Sequence, residues 1–251
     1  MAKALLLALL LALPVISATA TAADHEICEP KAYEMALRYQ QKSAEIMALQ
    51  LQTYRFATER FNEKIKGLTA PENYAVVMDL DETVLDNTPL LARDAEQCHD
   101  YTKWDTWSDW EKQGKPGLIP GAKAFLDRVN QSKVRIYYVS DRMQENKADT
   151  LNTLKSLGLP QVSEDSVLLD TVSKEARRQS ILKKQQIIML FGDSLPDFAA
   201  QFKNKKPSEA QRELVEASAD RFGSDWIVLP NAAYGSWSKA TLEGWKAPLK
   251  Q

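Results

Sequence analysis

Tyr74-Ala75-Val76-Val77-Met78-Asp79-Leu80-Asp81-Glu82-Thr83-Val84-Leu85-Asp86-Asn87 passes from an apolar run straight into a string of carboxylates. A short β-branched run of this kind reads as a strand buried on both faces, and the acidic residues then stand at its carboxyl end. Period-two alternation places Asp79 and Asp81 on the same side. Two carboxylates held close repel, so at least one needs a cation or a shared proton. The alternative is an acidic loop that caps a helix.

Downstream, short β-branched runs alternate with helical segments. Strands are expected over 74–80, 134–140, 167–170, 187–192 and 226–229, with helices over 121–131, 147–157 and 174–183. This order implies an α/β fold, a Rossmann-like, mostly parallel sheet with helices on both faces, whose ligands sit at the carboxyl ends of the strands. The second strand ends in Tyr138-Val139-Ser140-Asp141-Arg142, placing Ser140 where a βα loop begins, though a serine at a helix start is most often an N-cap. Arg142 and Arg177 are either supports for an anion or partners of surface carboxylates. The fourth strand runs into Gly192-Asp193-Ser194-Leu195-Pro196-Asp197-Phe198. Asp193 alone reads equally well as a helix cap. Four aspartates at one sheet end, however, call for a divalent metal, and hard oxygen ligands select Mg²⁺ over Zn²⁺.

Upstream, residues 30–66 contain no proline or glycine after Pro30 and read as one long helix or two broken ones, ended by Gly67 and Pro71. The expected organisation is a single domain over 24–251. In it, an N-terminal helix (30–67) and a small cap insert (88–118) form a mainly helical accessory layer on a core of 72–87 and 119–240. The insert carries Trp104, Trp107 and Trp110 at i, i+3 and i+6 of an expected helix. Such a stripe is ordinarily packing. With Tyr234 of the C-terminal loop it also offers faces for stacking on a base or aryl group, Trp104 and Tyr234 above all.

The chain has 251 residues, 44% hydrophobic and 26% charged, with 32 basic and 34 acidic side chains. No basic surplus exists to bind polymeric nucleic acid. Two histidines, His25 and His99, argue against a multi-histidine zinc site and a Ser-His-Asp triad. Lys3, the apolar run Ala4–Ile16 and the small residues up to Ala23 form the pattern of a secretory signal peptide at 1–23. That run is too short to span a bilayer, so no transmembrane anchor is expected. Cys28 and Cys98 are the only cysteines. Export to an oxidising compartment would let them pair as a disulfide, the alternative being two free thiols.

Asp79-x-Asp81-Glu82-Thr83-Val84-Leu85-Asp86-Asn87, the later Ser140 and lysine, and Gly192-Asp193-Ser194-Leu195-Pro196-Asp197-Phe198 resemble the haloacid dehalogenase (HAD) superfamily. With Leu229-Pro230-Asn231-Ala232-Ala233-Tyr234-Gly235-Ser236-Trp237, the chain is similar from about residue 30 to 245 to the class C (class IIIB) bacterial acid phosphatases, which include secreted 5′-nucleotidases. The resemblance implies a phosphomonoesterase in which Asp79 is the nucleophile and Asp81 the general acid and base. Ser140 and Lys174 would bind phosphate; the segment before Lys174 is one residue shorter than usual in that family. Mg²⁺ would be held by Asp79, the Asp81 backbone carbonyl and Asp193, with Asp197 a further ligand or a supporting acceptor. The expected partner is a small phosphomonoester, nucleoside monophosphates first, for a secreted or periplasmic enzyme compatible with a homodimer. A phosphotransferase using the same aspartates and a non-catalytic binding or storage protein on the same fold are the rival readings.

Overall fold

The computed structural model describes residues 28–202 and 207–246; the expected signal segment 1–23 lies outside them. After a 3-10 turn at Glu29–Tyr33, α1 (Glu34–Lys42) and α2 (Ala44–Lys64) are separated at Ser43, whose hydroxyl accepts from the Ile46 amide and caps α2. There follow β1 (Tyr74–Met78), β2 (Leu85–Asp86), α3 (Thr88–Glu96), α4 (Trp107–Gln113), β3 (Gly117–Leu118), α5 (Ala122–Gln131), β4 (Arg135–Met143), α6 (Lys147–Ser156), β5 (Val167–Asp170), α7 (Lys174–Leu182), β6 (Gln186–Gly192), α8 (Ser208–Glu216) and β7 (Trp226–Val228).

The main sheet is parallel, in the order β5-β4-β1-β6-β7. Alternation along β1 shows why both faces are covered. Val76 and Met78 join Tyr54, Ala57 and Phe61 of α2 and Phe125 of α5. Ala75 and Val77 join Ile181 of α7, Phe198, Phe202 and Trp226 on the opposite face. Because β1 is central, with β4 on one side and β6 on the other, its carboxyl end opens at the switch point of the sheet, where a cleft is expected.

The 30–67 segment is not one accessory layer. Ile46, Gln50, Tyr54, Ala57 and Phe61 form a single buried stripe that makes α2 part of the sheet's own cover. Only α1 belongs to the cap, where Leu37 packs with Leu90, Leu91, Ala95, Tyr101 and Trp107. The insert leaves and returns through the antiparallel pair β2–β3, Leu85 opposite Leu118 and Asp86 opposite Gly117. Cys28 and Cys98 are disulfide-bonded, with Cα atoms 5.5 Å apart, tying the start of the described chain to the end of α3. No helix among the described residues is long and apolar enough to cross a membrane.

Candidate active site

The strand β1 stops at Met78, two residues earlier than expected, and the Asp79 amide makes one last ladder bond to the Phe191 carbonyl at 2.9 Å. The chain then turns back on itself: the amides of Val84 and Leu85 both reach the Leu80 carbonyl at 2.8 Å. Tyr54 of α2 holds the outside of this turn through the Thr83 carbonyl at 2.7 Å. The early turn corrects the alternation argument. Asp79 and Asp81 line one cleft of about 540 Å³, yet they face different cations.

Asp79 Oδ1 accepts from Lys174 Nζ at 2.7 Å, and the same ammonium reaches Asp197 Oδ1 at 2.5 Å. Lys174 is the first residue of α7, which Ser173 caps through the Ala176 amide at 3.2 Å. Asp197 ends a 3-10 turn, its Oδ2 accepting from the Ser194 amide at 3.0 Å. Gly192 is required there by space, since a Cβ would run into the Asp197 carboxyl group. Arg178 fastens the turn to α7 by donating to the Asp197 carbonyl at 2.7 Å. Asp193 points into the cleft and accepts from Asn231 Nδ2 at 2.8 Å.

Asp81 lies on the β4 side. Its Oδ1 accepts from Arg142 Nη2 at 2.8 Å and from Asn87 Nδ2 at 2.9 Å, and its Oδ2 from the Ser140 hydroxyl at 3.0 Å. The strand β4 continues to Met143, so Ser140 and Arg142 sit within a strand; Ser140 caps no helix, and the carboxylate that Arg142 pairs with is Asp81 in the cleft, not one on the surface. Arg177 donates to the Ser140 carbonyl at 2.6 Å and pairs with Asp141.

Trp104 is not on the expected helix. It closes a 3-10 turn at Tyr101–Lys103 in the left-handed conformation, φ 63°, and α4 begins only at Trp107. Trp104 is 44% exposed and Trp107 only 6%, so the first ring faces the cleft while the second packs into the cap. The edge of one ring meets the face of the other between Trp104 and Tyr234, centroids 5.1 Å apart. The loop carrying Asn231 and Tyr234 is clamped by Gln40 of α1, which bonds the Pro230 carbonyl and the Ala232 amide, and by the Tyr101 hydroxyl on the Ala233 carbonyl.

Burial, together with the charges of Asp197, Asp193 and Asp81, pushes Asp79 well above the usual carboxylate range despite Lys174. Burial and then the charges of Asp197 and Glu82 push Asp193 up to about 8. Lys174 goes the other way. Burial opposes its charge, but Asp197 and Asp79 hold it well above the ordinary lysine value. Burial also opposes ionisation of Asp81, yet Arg142, with hydrogen bonds from Ser140 and Asn87, keeps its carboxyl below the usual range. One lysine thus serves several crowded carboxylates. Oxygens of Asp79, Asp193 and Asp197 lie within 4.8 Å of one another, a hard, anionic donor set that fits a divalent cation.

The family model described as HAD superfamily, subfamily IIIB (acid phosphatase), matches residues 11–237. The chain belongs to this family of acid phosphatases. It is a phosphoric monoester hydrolase. The class C acid phosphatase from Bacillus anthracis matches it with a TM-score of 0.78 and 31% identity, over 84% of this chain and 88% of that one. A second structure of that protein, with tungstate bound, gives the same figures.

In this acid phosphatase, sequence reading passed over several residues at the site. Glu82 is buried and accepts hydrogen bonds from the Asn87 amide at 3.0 Å and from the Tyr234 hydroxyl. Glu111 of α4 accepts from Asn146 Nδ2 at 2.7 Å and from the Met143 amide, docking the cap of the phosphatase on the end of β4. The only sequence signal for Glu82 and Asn87 was their place in the acidic string. Glu111 had none.

Proposed function

We infer that the chain is an exported, Mg²⁺-dependent acid phosphatase that hydrolyses nucleoside 5′-monophosphates through an aspartyl-phosphate on Asp79. The observation that carries this reading is the pairing of two features in one cleft. Asp79 is buried beside Lys174, Asp193 and Asp197, and the exposed face of Trp104 with Tyr234 lines the same cavity.

Asp79 attacks phosphorus, and the bond from phosphorus to the ester oxygen breaks as the new bond to Asp79 forms. Asp81, carrying the proton that it takes up in the hydrolytic step, gives it to the leaving alkoxide. In the second step Asp81 takes a proton from the water that attacks phosphorus and frees Asp79. Lys174 and the Ser140 hydroxyl supply positive charge and a donor to the phosphoryl oxygens. Asp79, the Asp81 carbonyl and Asp193 would hold Mg²⁺, whose chemistry when bound is to offset the repulsion between phosphate and carboxylates. Both oxygens of Asp197 already accept hydrogen bonds, which favours a supporting role over direct ligation. The tetrahedral oxyanion tungstate bound to the Bacillus anthracis relative supports a phosphate site on this fold. The disulfide supports export, since such bonds persist in oxidising compartments.

The test is phosphate release with Mg²⁺ by wild type and Asp79→Asn on an aryl phosphate, followed by a nucleoside 5′-monophosphate against ribose 5-phosphate. Turnover by Asp79→Asn would remove the nucleophile. Equal kcat/KM for nucleotide and ribose 5-phosphate would remove the nucleotide preference and leave the phosphatase.

A further inference from the structure

Trp110, the third tryptophan of the insert, has a different task from the other two. Its Nε1–H donates to Asn87 Oδ1 at 2.8 Å, and Arg142 Nη2 donates to the same oxygen at 3.2 Å. Two donors on one oxygen fix the rotamer of the amide, so Nδ2 is the atom left to face Asp81 Oδ1. Asn87 is fully buried, out of contact with bulk solvent. The indole is seated in turn by Gly114, at the end of α4. The φ of −69° at Gly114 suits any residue, but a Cβ there would run into the Trp110 ring.

We propose that Trp110 and Asn87 are positioning residues for the acid step, holding the Asp81 carboxyl in the rotamer from which it protonates the leaving group. The proposal rests on Asp81 being the general acid. Oδ1 is tied by Asn87 and Arg142, whereas Oδ2 has Ser140 and a longer contact to Arg142, 3.3 Å. When the Ser140 hydroxyl turns to the substrate phosphate, Oδ2 is the oxygen free to carry the proton. The Oδ2–H bond then breaks as the ester oxygen leaves phosphorus. The proton passes to that oxygen, and the carboxylate left behind is stabilised by Arg142 and Asn87. The cap helix α4 therefore acts on the chemistry as well as closing the cleft.

Leaving-group dependence tests this, because a phenolate with electron-withdrawing groups departs without a proton and an alkoxide does not. With Mg²⁺ present, kcat/KM reports the steps through release of the alcohol. It would be measured on p-nitrophenyl phosphate and on an alkyl phosphate for wild type, Trp110→Phe, Gly114→Ala and Asp81→Asn. Trp110→Phe keeps an aromatic ring, though a smaller one, and removes the Nε1–H hydrogen bond to Asn87, so it should lose about fivefold on the alkyl ester and under about twofold on the aryl ester. Gly114→Ala, which disturbs the same ring without touching the site, should show the same bias. Asp81→Asn should show the largest bias, about 10²-fold or more. Equal losses on the two esters in both Trp110→Phe and Gly114→Ala, with a bias in Asp81→Asn, would overturn the positioning role and leave the acid assignment standing. No bias in Asp81→Asn would overturn the acid assignment and the proposal with it.

Discussion

The Tyr234 phenol donates to Glu82 Oε2, joining the residue after Asp81 to a loop at the far end of the chain. Glu82 reaches it because its backbone is left-handed, φ 55°, which swings the side chain out of the tight turn after β1. Its other oxygen is held by the Asn87 amide. The aromatic wall of the cleft is thus referenced to the same turn that presents Asp79.

Removing that wall should separate binding of the leaving group from chemistry. Tyr234→Ala is expected to raise KM for a nucleoside 5′-monophosphate by about tenfold, the order of one base–aromatic stack. Trp104→Ala should act in the same sense. Ribose 5-phosphate, which has no base to stack, should change by less than about twofold. Steady-state kinetics on the two substrates checks this, and equal losses would make both rings packing residues.

The crowded carboxylates predict that metal and stability are linked. Asp79 and Asp193 are pushed up by burial and by neighbouring negative charge, so a bound cation favours the folded state. Mg²⁺ at about a hundred times its Kd should add about 2.7 kcal/mol to unfolding. Asp193→Asn should lose most of that thermal shift and at least about 10²-fold in turnover, and chelation of the wild type should abolish turnover. Calorimetric melts with and without Mg²⁺ measure the first effect separately from activity.

The legible part of this molecule was whatever depends on short-range pattern. The acidic string after Met78 and the one after Phe191 each follow an apolar run, so placing Asp79, Asp81, Asp193 and Asp197 at strand ends required only local reading. The strand order around β1 is a property of crossovers and was not readable. Arg142 paired with Asp81 and Asn231 with Asp193 are contacts between segments far apart in the chain, and nothing in either segment names the other. Trp104 misled for a local reason. Spacing of i, i+3, i+6 reads as a helix face, but the left-handed turn at Trp104 breaks the helix and gives that ring to the cleft.

The disulfide joins residues 70 positions apart, and closing a loop of that length contributes up to about 4 kcal/mol through the unfolded chain. Its native contacts are at the cap: Tyr33, just after Cys28, packs on Tyr101 with centroids 5.7 Å apart. Reduction, or Cys28→Ser with Cys98→Ser, should lower the melting temperature by several degrees. It should also open the segment before α1 to proteolysis, read by mass spectrometry of the first fragments. Unchanged melting in reductant would show that the bridge adds nothing to stability.

Asp225 gives a pH-dependent contribution remote from the chemistry. Burial raises its carboxyl, but hydrogen bonds from Arg221 and the charge and hydrogen bond of Lys64 outweigh it and hold the group below the ordinary value of 3.8. The pairs measure 3.0 Å to Arg221 and 3.4 Å to Lys64, joining α2 to the turn before β7. A carboxyl depressed in the folded state adds stability above its unfolded pKa, and that stability is lost as pH falls through the folded value. Partial exposure limits it to at most about 1 kcal/mol. Asp225→Asn should therefore cost at most about 2–4 °C of melting temperature at neutral pH, as expected for a domain of this size. The gap between variant and wild type should narrow as the pH falls below the ordinary carboxyl value of 3.8 and close once it has passed through the lower folded value, where both carry a neutral side chain. A gap that persists at the acid end would mean that Asp225 acts through packing or its hydrogen bonds as a neutral group, not through its charge.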